Sequence, residues 1–373
     1  MIYLDSAATT LQKPCSVARA VSSAMLCMTT PGRGGHWASK RASEVVFSCR
    51  EAVAELFEVP GPEQVVFTSN ATHGLNIAIR SVVKPGDTVL ISGYEHNAVT
   101  RPLHHMDGVV IKTARGPLFE PEAILRAFER EMTPEVTAVV TTHVSNVFGY
   151  ILPVEEIAAL CRARQIPLIV DASQSAGCLP VSMKKWGAAF IAMPGHKGLY
   201  GPQGTGLLLC NGPVEPVLYG GTGSASRQQS MPEFLPDRLE AGTQNVSGIA
   251  GLAEGLRFIR KTGVEHIRQH ERKMIRELAE GLKHIGRLKV FYSPDEGAQS
   301  GVLSFCCAGK DCEEVGELLA ERGIAVRSGL HCAPLAHETA GTIASGTIRA
   351  SVSAFTSGRD IRCMLHEMAK ICS

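Results

Sequence analysis

The sequence predicts an α/β protein in which a large domain, built on a mostly parallel sheet flanked by helices, is followed by a smaller α+β domain. Seven short β-rich runs lie between residues 64 and 210, and helix-like stretches alternate with them. This alternation is typical of parallel sheets that carry helices on both faces. Beyond residue 250 the pattern changes to amphipathic helices, and then to short strands around one helix. The 373 residues are enough for two such lobes.

Each element of the large domain has its own signal. The predicted strands are QVVFTS (64–69), DTVLISG (87–93), GVVIKTA (108–114), TAVVTTH (137–143), PLIVDAS (167–173), AAFIAM (188–193) and GLLLC (206–210). Between the fourth and fifth runs, Val154, Ile157, Ala158 and Cys161 share one helical face, and charged residues occupy the rest. This spacing predicts a crossover helix packed on the sheet.

The second part of the chain predicts the smaller domain. Helical spacing places Val264, Ile267, Met274, Leu278 and Leu282 on one face, and shorter elements follow over 301–309, 312–323, 324–329 and 346–352. We therefore expect a large domain over 14–250 and a small domain formed by 1–13 and 251–373. The segment 219–237 is rich in Gly, Ser, Gln and Pro, which predicts a long functional loop.

Composition excludes several classes of protein. With 37 basic and 36 acidic residues the net charge is +1, which provides no electrostatic footprint for nucleic acid or an anionic membrane. The first residues do not resemble a secretory signal, and no apolar run is long enough to span a bilayer. Twelve scattered cysteines without CxxC spacing indicate reduced thiols, so we expect a cytoplasmic protein without a structural metal site.

Two residues at the ends of predicted strands point to a cofactor. Asp171 ends one strand, and Lys197 follows the next. Ligands of open α/β sheets bind beside the carboxyl ends of the strands. Pyridoxal phosphate (PLP) needs a lysine for its aldehyde and a carboxylate that keeps its pyridine nitrogen protonated. Asp171 and Lys197 supply both groups, so the pair predicts a PLP site.

Taken singly, these residues have simpler interpretations. Asp171 alone would be read as a helix cap and Lys197 as a solvated loop residue. Glycines at 195, 198, 201, 204 and 206 surround Lys197, however, and allow a tight turn with a close approach of the backbone to a ligand. The combination favours the cofactor.

Other groups that such a site needs follow neighbouring strands. Thr72, His73 and Gly74 begin a predicted helix, where backbone N–H groups and a hydroxyl could bind a phosphate. His96 follows the next strand, where its ring could lie over the pyridine. The alternatives are an ordinary helix cap at Thr72 and a structural histidine at His96.

The smaller domain contributes a candidate nucleophile and a candidate anion site. Cys332 lies in the loop SGLHCAP beside His331 and near Arg327, outside any apolar run. Cationic neighbours can favour the nucleophilic thiolate. Arg349 lies on a short predicted strand, and its planar fork suits a carboxylate, although a surface salt bridge is the alternative.

Together the motifs resemble those of class V aminotransferases. DSAATT, TSNATHG, the segment Glu95-His96-Asn97, VSNVFG, VDASQSAG, PGHKGLYGPQGTG, EAGTQN, RSGLHCAP and TIRAS occur in that family's order along essentially the whole chain. Because a cysteine occupies the small-domain loop, the chain is most similar to cysteine desulfurases and their selenocysteine lyase relatives. The resemblance implies PLP fold type I, a homodimer, and sulfur transfer through an enzyme persulfide.

The resemblance also implies roles for individual residues. Lys197 would be the Schiff-base lysine, Asp171 the pyridinium partner, Gln174 a donor to the ring hydroxyl and His96 the stacking residue. Thr72 and His196 would hold the phosphate, and Thr222 would reach it from the other subunit. Arg349 and Asn146 would take the substrate carboxylate, and His36 would line the substrate site.

Two positions depart from the family pattern. Pro194 stands where relatives commonly have serine, which removes one phosphate hydroxyl. Leu330 precedes His331-Cys332 where one subgroup has a histidine, which affects that subgroup's partner interactions.

The chemistry implied is conversion of L-cysteine to alanine, with Cys332 attacking the substrate sulfur and His96 carrying a proton. An acceptor protein would then take the sulfur. The alternatives are a selenocysteine lyase, another class V reaction in which Cys332 is a bystander, and a PLP-binding protein without catalytic activity.

Overall fold

The computed structural model describes residues 1–32, 34–295 and 297–372. Its strands are β1 (Ile2–Tyr3), β2 (Val65–Thr68), β3 (Thr88–Ser92), β4 (Val110–Ala114), β5 (Val136–Thr142), β6 (Leu168–Asp171), β7 (Phe190–Pro194), β8 (Gly206–Cys210), β9 (Leu288–Phe291), β10 (Val302–Cys307), β11 (Ile324–Ala325), β12 (Arg327–Gly329) and β13 (Thr347–Ser351). All seven predicted strands of the large domain are therefore confirmed, with small shifts at their ends.

Helices separate these strands. They are α1 (Cys15–Cys27), α2 (Trp37–Leu56), α3 (Ala71–Val82), α4 (Asn97–His104), α5 (Pro121–Glu131), α6 (Val154–Ala163), α7 (Met183–Trp186), α8 (Val246–Thr262), α9 (Val264–Lys283), α10 (Cys312–Glu321), α11 (Pro334–Ala340) and α12 (Gly358–Cys372). The predicted crossover helix is α6, and the four residues assigned to its inner face are buried.

The large sheet has seven strands in the order β2-β8-β7-β6-β5-β3-β4. Only β8 runs against its neighbours, and the other pairings are parallel. The strand interiors are almost continuously buried, which is expected of a parallel sheet covered on both faces. Because parallel strands end at one edge, side chains that follow β3, β5, β6 and β7 meet there.

The second lobe is built on an antiparallel sheet in the order β12-β13-β10-β9. The helices α9, α10 and α12 pack on this sheet around a separate hydrophobic cluster. The N-terminal strand β1 pairs in parallel with β11 of this lobe, so the chain begins beside β13 and then enters the large sheet domain. The smaller α+β lobe is confirmed.

Helix α8 packs against α1 and α2, and its residues Ile249, Leu252, Leu256 and Ile259 belong to the hydrophobic cluster of the large sheet. The packing of the large lobe thus continues past residue 250, and the domain division placed there stays a prediction. Among the described residues, no helix combines the length and the apolar composition that crossing a bilayer requires.

Candidate active site

Asp171 is the last residue of β6, and its side chain points to the carboxyl edge of the large sheet. The residue is 3% exposed, and Oδ1 accepts a hydrogen bond of 2.9 Å from the backbone N–H of Ser173. In the register of the sheet Asp171 lies between Thr142 of β5 and Ala192 of β7. A buried carboxylate at this edge can pair with a protonated ring nitrogen.

Lys197 lies in a tight turn after β7. The N–H of Gly195 donates to the carbonyl of Thr205, and the N–H of Gly201 donates to the carbonyl of Gly195. A Cβ atom on Gly195 would lie 2.1 Å from Thr205 Oγ1, so a side chain cannot be placed there without rearrangement. The glycines that surround Lys197 therefore shape the turn that presents this lysine at the sheet edge.

The charge of Lys197 is poorly stabilised in its surroundings. Burial lowers the pKa of its amine to about 8, Asp171 opposes that shift, and the guanidinium groups of Arg349 and Arg327 add to it. An amine with this pKa is partly neutral near physiological pH, and a neutral amine is the form that reacts with an aldehyde or accepts a proton.

His96 precedes α4 and caps its N-terminus. Its Nδ1 accepts a 3.0 Å hydrogen bond from the N–H of Ala98, which assigns the ring proton to Nε2 in the neutral form. Burial lowers the pKa of His96 to about 4. The ring is therefore neutral near pH 7, as a group that stacks on a protonated pyridine should be.

The predicted phosphate-binding helix start is α3, which begins at Ala71. Asn70 is its cap and accepts a 2.9 Å hydrogen bond from the N–H of His73. That N–H is therefore shared with the helix cap, and the role of His73 in phosphate binding stays a prediction. Thr72 is exposed at the helix start, where its hydroxyl is accessible to a bound anion.

A cavity of about 100 Å³ opens between these groups. Seven of the residues predicted from the sequence line it, namely Thr72, His96, Asn146, Asp171, Gln174, His196 and Lys197. An acidic group, a lysine of lowered pKa, a neutral imidazole and a helix N-terminus thus converge on one space. This donor set fits PLP, and we refer to Thr72, His96, Asp171 and Lys197 as the cofactor cradle.

The two other predicted cofactor contacts are held by the N-terminal segment. Gln174 Nε2 donates to the carbonyl of Ala7 at 3.0 Å, and His196 Nδ1 lies 3.1 Å from Thr9 Oγ1. Burial lowers the pKa of His196 to about 4, so this ring is also neutral near pH 7. Both side chains line the cavity while part of their bonding capacity is used by residues 7 and 9.

Cys332 lies in a loop of the second lobe, residues 330–333, which we call the cysteine loop. The thiol is exposed, as predicted. The loop is attached to the large lobe, because the N–H of Asn97 donates to the carbonyl of Cys332 at 2.8 Å and Asn146 Nδ2 donates to the carbonyl of His331 at 2.8 Å. The cysteine therefore lies directly beside the residues that follow His96 and β5.

The backbone of the cysteine loop is strained. His331 and Cys332 both have positive φ, at 51° and 56°, a region that residues other than glycine seldom occupy. The hydrogen bonds from Asn97 and Asn146, each made to one of these two residues, hold the loop in this conformation.

His331 does not activate the thiol as a cation, and the expectation that it would is wrong. Its ring is buried, and Nε2 lies 3.1 Å from both the carbonyl and the hydroxyl of Thr347. Burial, with Arg349 adding to it, lowers the pKa of His331 to about 2, so the ring is neutral. The role of this histidine is to anchor the loop.

Arg349 on β13 is almost completely buried, with 1% of its surface exposed. Its Nη1 donates to the carbonyl of Asn146 at 3.0 Å, and its Nη2 donates to Asp5 Oδ1 at 2.7 Å. Its Nε has no hydrogen-bond partner among the described residues. Arg349 is therefore not part of a surface salt bridge, the alternative considered from the sequence, because its own side chain is buried while that of Asp5 is partly exposed.

Two predicted residues lie away from the cavity. His36 is exposed and caps α2, where its Nδ1 accepts from the N–H of Ser39 at 3.4 Å. Thr222 lies in the predicted long loop, and its hydroxyl is 3.2 Å from that of Ser224. Within one chain the structure does not bring either residue to the cofactor cradle, so both roles stay predictions.

Two further residues belong to the site although the sequence did not single them out. Asp5 pairs with Arg349, and Glu95, which directly precedes His96 in the sequence, is completely buried. Glu95 Oε1 accepts from the N–H of Thr142 at 2.7 Å and from Ser92 Oγ, and burial raises its pKa to about 8. Glu95 thereby ties the ends of β3 and β5. The position of Glu95 directly before His96 in the motif could have indicated from the sequence that this residue belongs to the site.

Pro194 and Leu330, the two departures from the family pattern, lie beside the cavity and beside the cysteine, respectively. Pro194 is the last residue of β7 and is buried, so it offers no hydroxyl to the cavity that it lines. Leu330 is 38% exposed at the start of the cysteine loop and lies on the surface beside the thiol.

The model of the aminotransferase class-V family matches residues 2–364. The chain belongs to this family. PLP is accordingly its cofactor, and the residues of the cradle fit that group. When bound, PLP supplies an electron sink for negative charge that develops at the substrate Cα.

Several similar proteins are named cysteine desulfurases. A probable cysteine desulfurase of Methanothermobacter thermautotrophicus is 32% identical over 99% of this chain and 94% of its own length. A probable cysteine desulfurase of Xylella fastidiosa is 32% identical over 100% of this chain and 91% of its own. The apo structure of cysteine desulfurase from Thermococcus onnurineus superposes with a TM-score of 0.91 at 30% identity, covering 100% of this chain and 94% of that one. These likenesses confirm the family, the fold and the cofactor expected from the sequence.

Proposed function

We propose that this chain is a PLP-dependent cysteine desulfurase that converts L-cysteine to L-alanine and retains the sulfur as a persulfide on Cys332. The observation that carries the proposal is the attachment of the cysteine loop to Asn97, which follows His96 of the cradle, and to Asn146, which lines the cavity. An exposed thiol is held at the edge of a PLP site, where other reactions of this family have no need of one. The name shared by its relatives supports the same reaction.

Residues of the cradle bind the cofactor and move the first proton. Asp171 would keep the pyridine nitrogen protonated, Thr72 and His196 would hold the phosphate, and His96 would cover the ring. The Lys197 amine, with its pKa lowered to about 8, is suited to take the Cα proton and to return a proton afterwards.

The cysteine loop supplies the nucleophile. The sulfur of Cys332 attacks the substrate sulfur, an S–S bond forms, the substrate C–S bond breaks, and its electron pair remains on carbon until protons arrive. Atoms balance, because one enzyme thiol and L-cysteine become one enzyme persulfide and L-alanine. His96 lies beside this loop and could carry a proton to the product carbon through Nε2.

Arg349 and Asn146 would bind the substrate carboxylate. Arg349 offers a guanidinium beside the cavity, and its positive charge contributes to the lowered pKa values of both His96 and Lys197. Asn146 lines the cavity and uses one of its two amide hydrogens for the His331 carbonyl, so the other remains for a ligand.

A homodimer would complete the phosphate site. A second cavity of about 550 Å³ adjoins Thr72 and His73, and exposed apolar side chains lie near its rim at Leu218 and Tyr219. The loop that carries Thr222 follows these residues and would bind the phosphate of the other subunit. Light scattering of the purified holoenzyme tests the dimer.

The acceptor is proposed to be a protein that approaches the exposed side of the cysteine loop, next to Leu330. All twelve cysteines are free thiols, which suits a reducing compartment such as the cytoplasm. Neither the acceptor nor the compartment is needed for the reaction itself.

The test is a direct assay of the products. Purified holoenzyme is incubated with L-cysteine and a reducing thiol, and separately with L-selenocysteine, and alanine and sulfide or selenide are quantified. Equal amounts of alanine and sulfide from L-cysteine support the proposal. Turnover of L-selenocysteine alone would assign a selenocysteine lyase, and pyruvate or a transamination product in place of alanine would assign another reaction of the family.

A further inference from the structure

Residues 5–10 form a strap that joins the two halves of the site. At its start, the N–H of Ala7 donates to Ser351 Oγ at 2.8 Å on the strand that carries Arg349. At its end, the N–H of Thr10 donates to the carbonyl of His196 at 3.1 Å, next to Lys197. The strap therefore links the strand of the substrate arginine to the turn of the cofactor lysine.

Asp5 begins the strap, and its backbone is fixed by the second lobe. It forms a parallel bridge with Ser351, and the neighbouring Leu4 exchanges backbone hydrogen bonds with Ala325 and Ser351. Asp5 Oδ1 lies 2.7 Å from Arg349 Nη2. The carboxylate is thus held at a defined position against the guanidinium.

Arg349 needs this partner because other charges near it are positive. Arg327 is its direct cross-strand neighbour on β12, and like charges placed opposite each other in a sheet repel. Among the described residues, Asp5 is the carboxylate that contacts Arg349. A guanidinium that is 1% exposed requires such compensation to remain charged.

The bonds to Arg349 leave donors for a ligand. A guanidinium has five N–H donors, and those used by Asn146 O and Asp5 leave three, including the buried Nε–H that has no partner among the described residues. Two fixed contacts on Nη1 and Nη2 define the plane of the group. A planar carboxylate is bound best when that plane is set before it arrives.

We infer that Asp5 is a positioning residue for substrate recognition, which orients Arg349 so that its remaining donors receive the α-carboxylate of the amino acid. This role rests on the proposed function only in that Arg349 takes the substrate carboxylate. It does not depend on which amino acid is turned over. The strap further places this arginine in a fixed relation to the lysine turn.

The test compares two amines that differ only in a carboxylate. L-Alanine and ethylamine are titrated into the holoenzyme, and binding is followed through the visible absorbance of the cofactor. Wild type should prefer L-alanine. In Asp5→Asn the affinity for L-alanine should fall about tenfold, as expected for a weakened charged hydrogen bond, while the affinity for ethylamine stays unchanged. The matched control is Ser6→Ala, in the same strap, which should leave both affinities unchanged.

Two other results would overturn the inference. Equal losses for both amines would mean that Asp5 only maintains the fold, and tighter L-alanine binding would mean that Asp5 competes with the substrate for Arg349. If Asp5→Asn fails to retain the cofactor, the same titrations are made with Asp5→Glu. In that variant the affinity for L-alanine alone should fall about two- to threefold, because the ion pair is retained but displaced. An equal loss for both amines in that variant would again overturn the inference.

A double-mutant cycle makes the test specific to Arg349. In an Arg349→Lys background, Asp5→Asn should produce no further loss of selectivity for L-alanine, because the residue that Asp5 positions is gone. An additive loss would contradict the inference. If wild type binds L-alanine selectively but makes no alanine from L-cysteine, the proposed function fails while the role of Asp5 stands.

Discussion

The cofactor cradle and the cysteine loop are positioned by different structural means, although Asn146 both lines the cavity of the cradle and holds the loop. Cradle residues follow the carboxyl ends of parallel strands, and their positions are set by the sheet and by tight turns. The cysteine loop belongs to the other lobe, has a strained backbone, and depends on hydrogen bonds donated by Asn97 and Asn146. The cofactor site is thus built into one lobe, whereas the nucleophile is positioned by contacts between the lobes.

Variants of the cradle should therefore impair the cofactor chemistry itself, and the largest effect is expected at Lys197. In Lys197→Ala, turnover of L-cysteine should fall by roughly three orders of magnitude or more, because both a covalent attachment and a proton carrier are lost. Borohydride reduction of wild type, followed by peptide mapping, should place the pyridoxyl group on Lys197. A pyridoxyl group on another lysine would contradict the assignment.

Asp171→Asn should have the next largest effect. The amide cannot keep the pyridine nitrogen protonated, so turnover should fall by about 10²–10³-fold, the range seen when one stabilising group is removed from a transition state. The bound cofactor should remain measurable by its absorbance. Turnover close to that of wild type would show that Asp171 has a different role.

Variants of the contacts that hold the cysteine loop should leave cofactor binding unchanged and should displace the nucleophile instead. Asn146→Ala removes the 2.8 Å bond to the His331 carbonyl, and turnover should fall about tenfold, since a charge-neutral hydrogen bond contributes about 1 kcal/mol and one donor to the substrate is also lost. The spectrum of the cofactor should not change. Thr339→Val, which removes a different bond between the lobes, to the Gly93 carbonyl, is the matched control.

Acid should lower the stability of the folded protein, because buried neutral histidines lie both beside the cradle and beneath the cysteine loop. Burial lowers the pKa of His143, beside Asp171, and of His337, beneath the cysteine loop, to about 4 in each case. In the unfolded chain both rings bind a proton near pH 6.5, whereas in the folded protein they do so only near pH 4. These two histidines therefore do not reduce the free energy of unfolding above pH 6.5, and they reduce it increasingly as the pH falls towards 4.

The pH dependence of the free energy of unfolding can be measured directly. The free energy of unfolding in urea should decrease between pH 6.5 and 4, and His143→Phe should reduce this decrease by roughly 3 kcal/mol at most. His337→Phe should reduce the decrease as well. An unchanged pH dependence in His143→Phe would mean that this ring is protonated in the folded protein.

The cradle could be predicted from the sequence because each residue has a local signal. Asp171 ends an apolar run, Lys197 lies among glycines and Thr72 begins a helix, and parallel strands bring such positions together without any knowledge of distances. The structure confirms that these residues line one cavity.

The contacts of the second lobe could not be predicted in the same way. Asp5 and Arg349 are separated by nearly the whole chain, and no local pattern pairs them. His331 was expected beside the thiol as a cation, but the positive φ of the loop turns its ring into the core, where it is neutral. Both features arise from tertiary packing, which a pattern of neighbouring residues does not encode.

The most direct test of sulfur transfer is the mass of the peptide that contains Cys332 after the holoenzyme has reacted with one molar equivalent of L-cysteine and no other thiol. We predict the mass of one added sulfur atom on Cys332, one alanine released for each modified chain, and neither product in Cys332→Ala, which should still bind the cofactor. Cys15→Ala, which removes the other exposed thiol, should behave as wild type. An unmodified Cys332, or alanine formed by Cys332→Ala at the rate of wild type, would contradict the account.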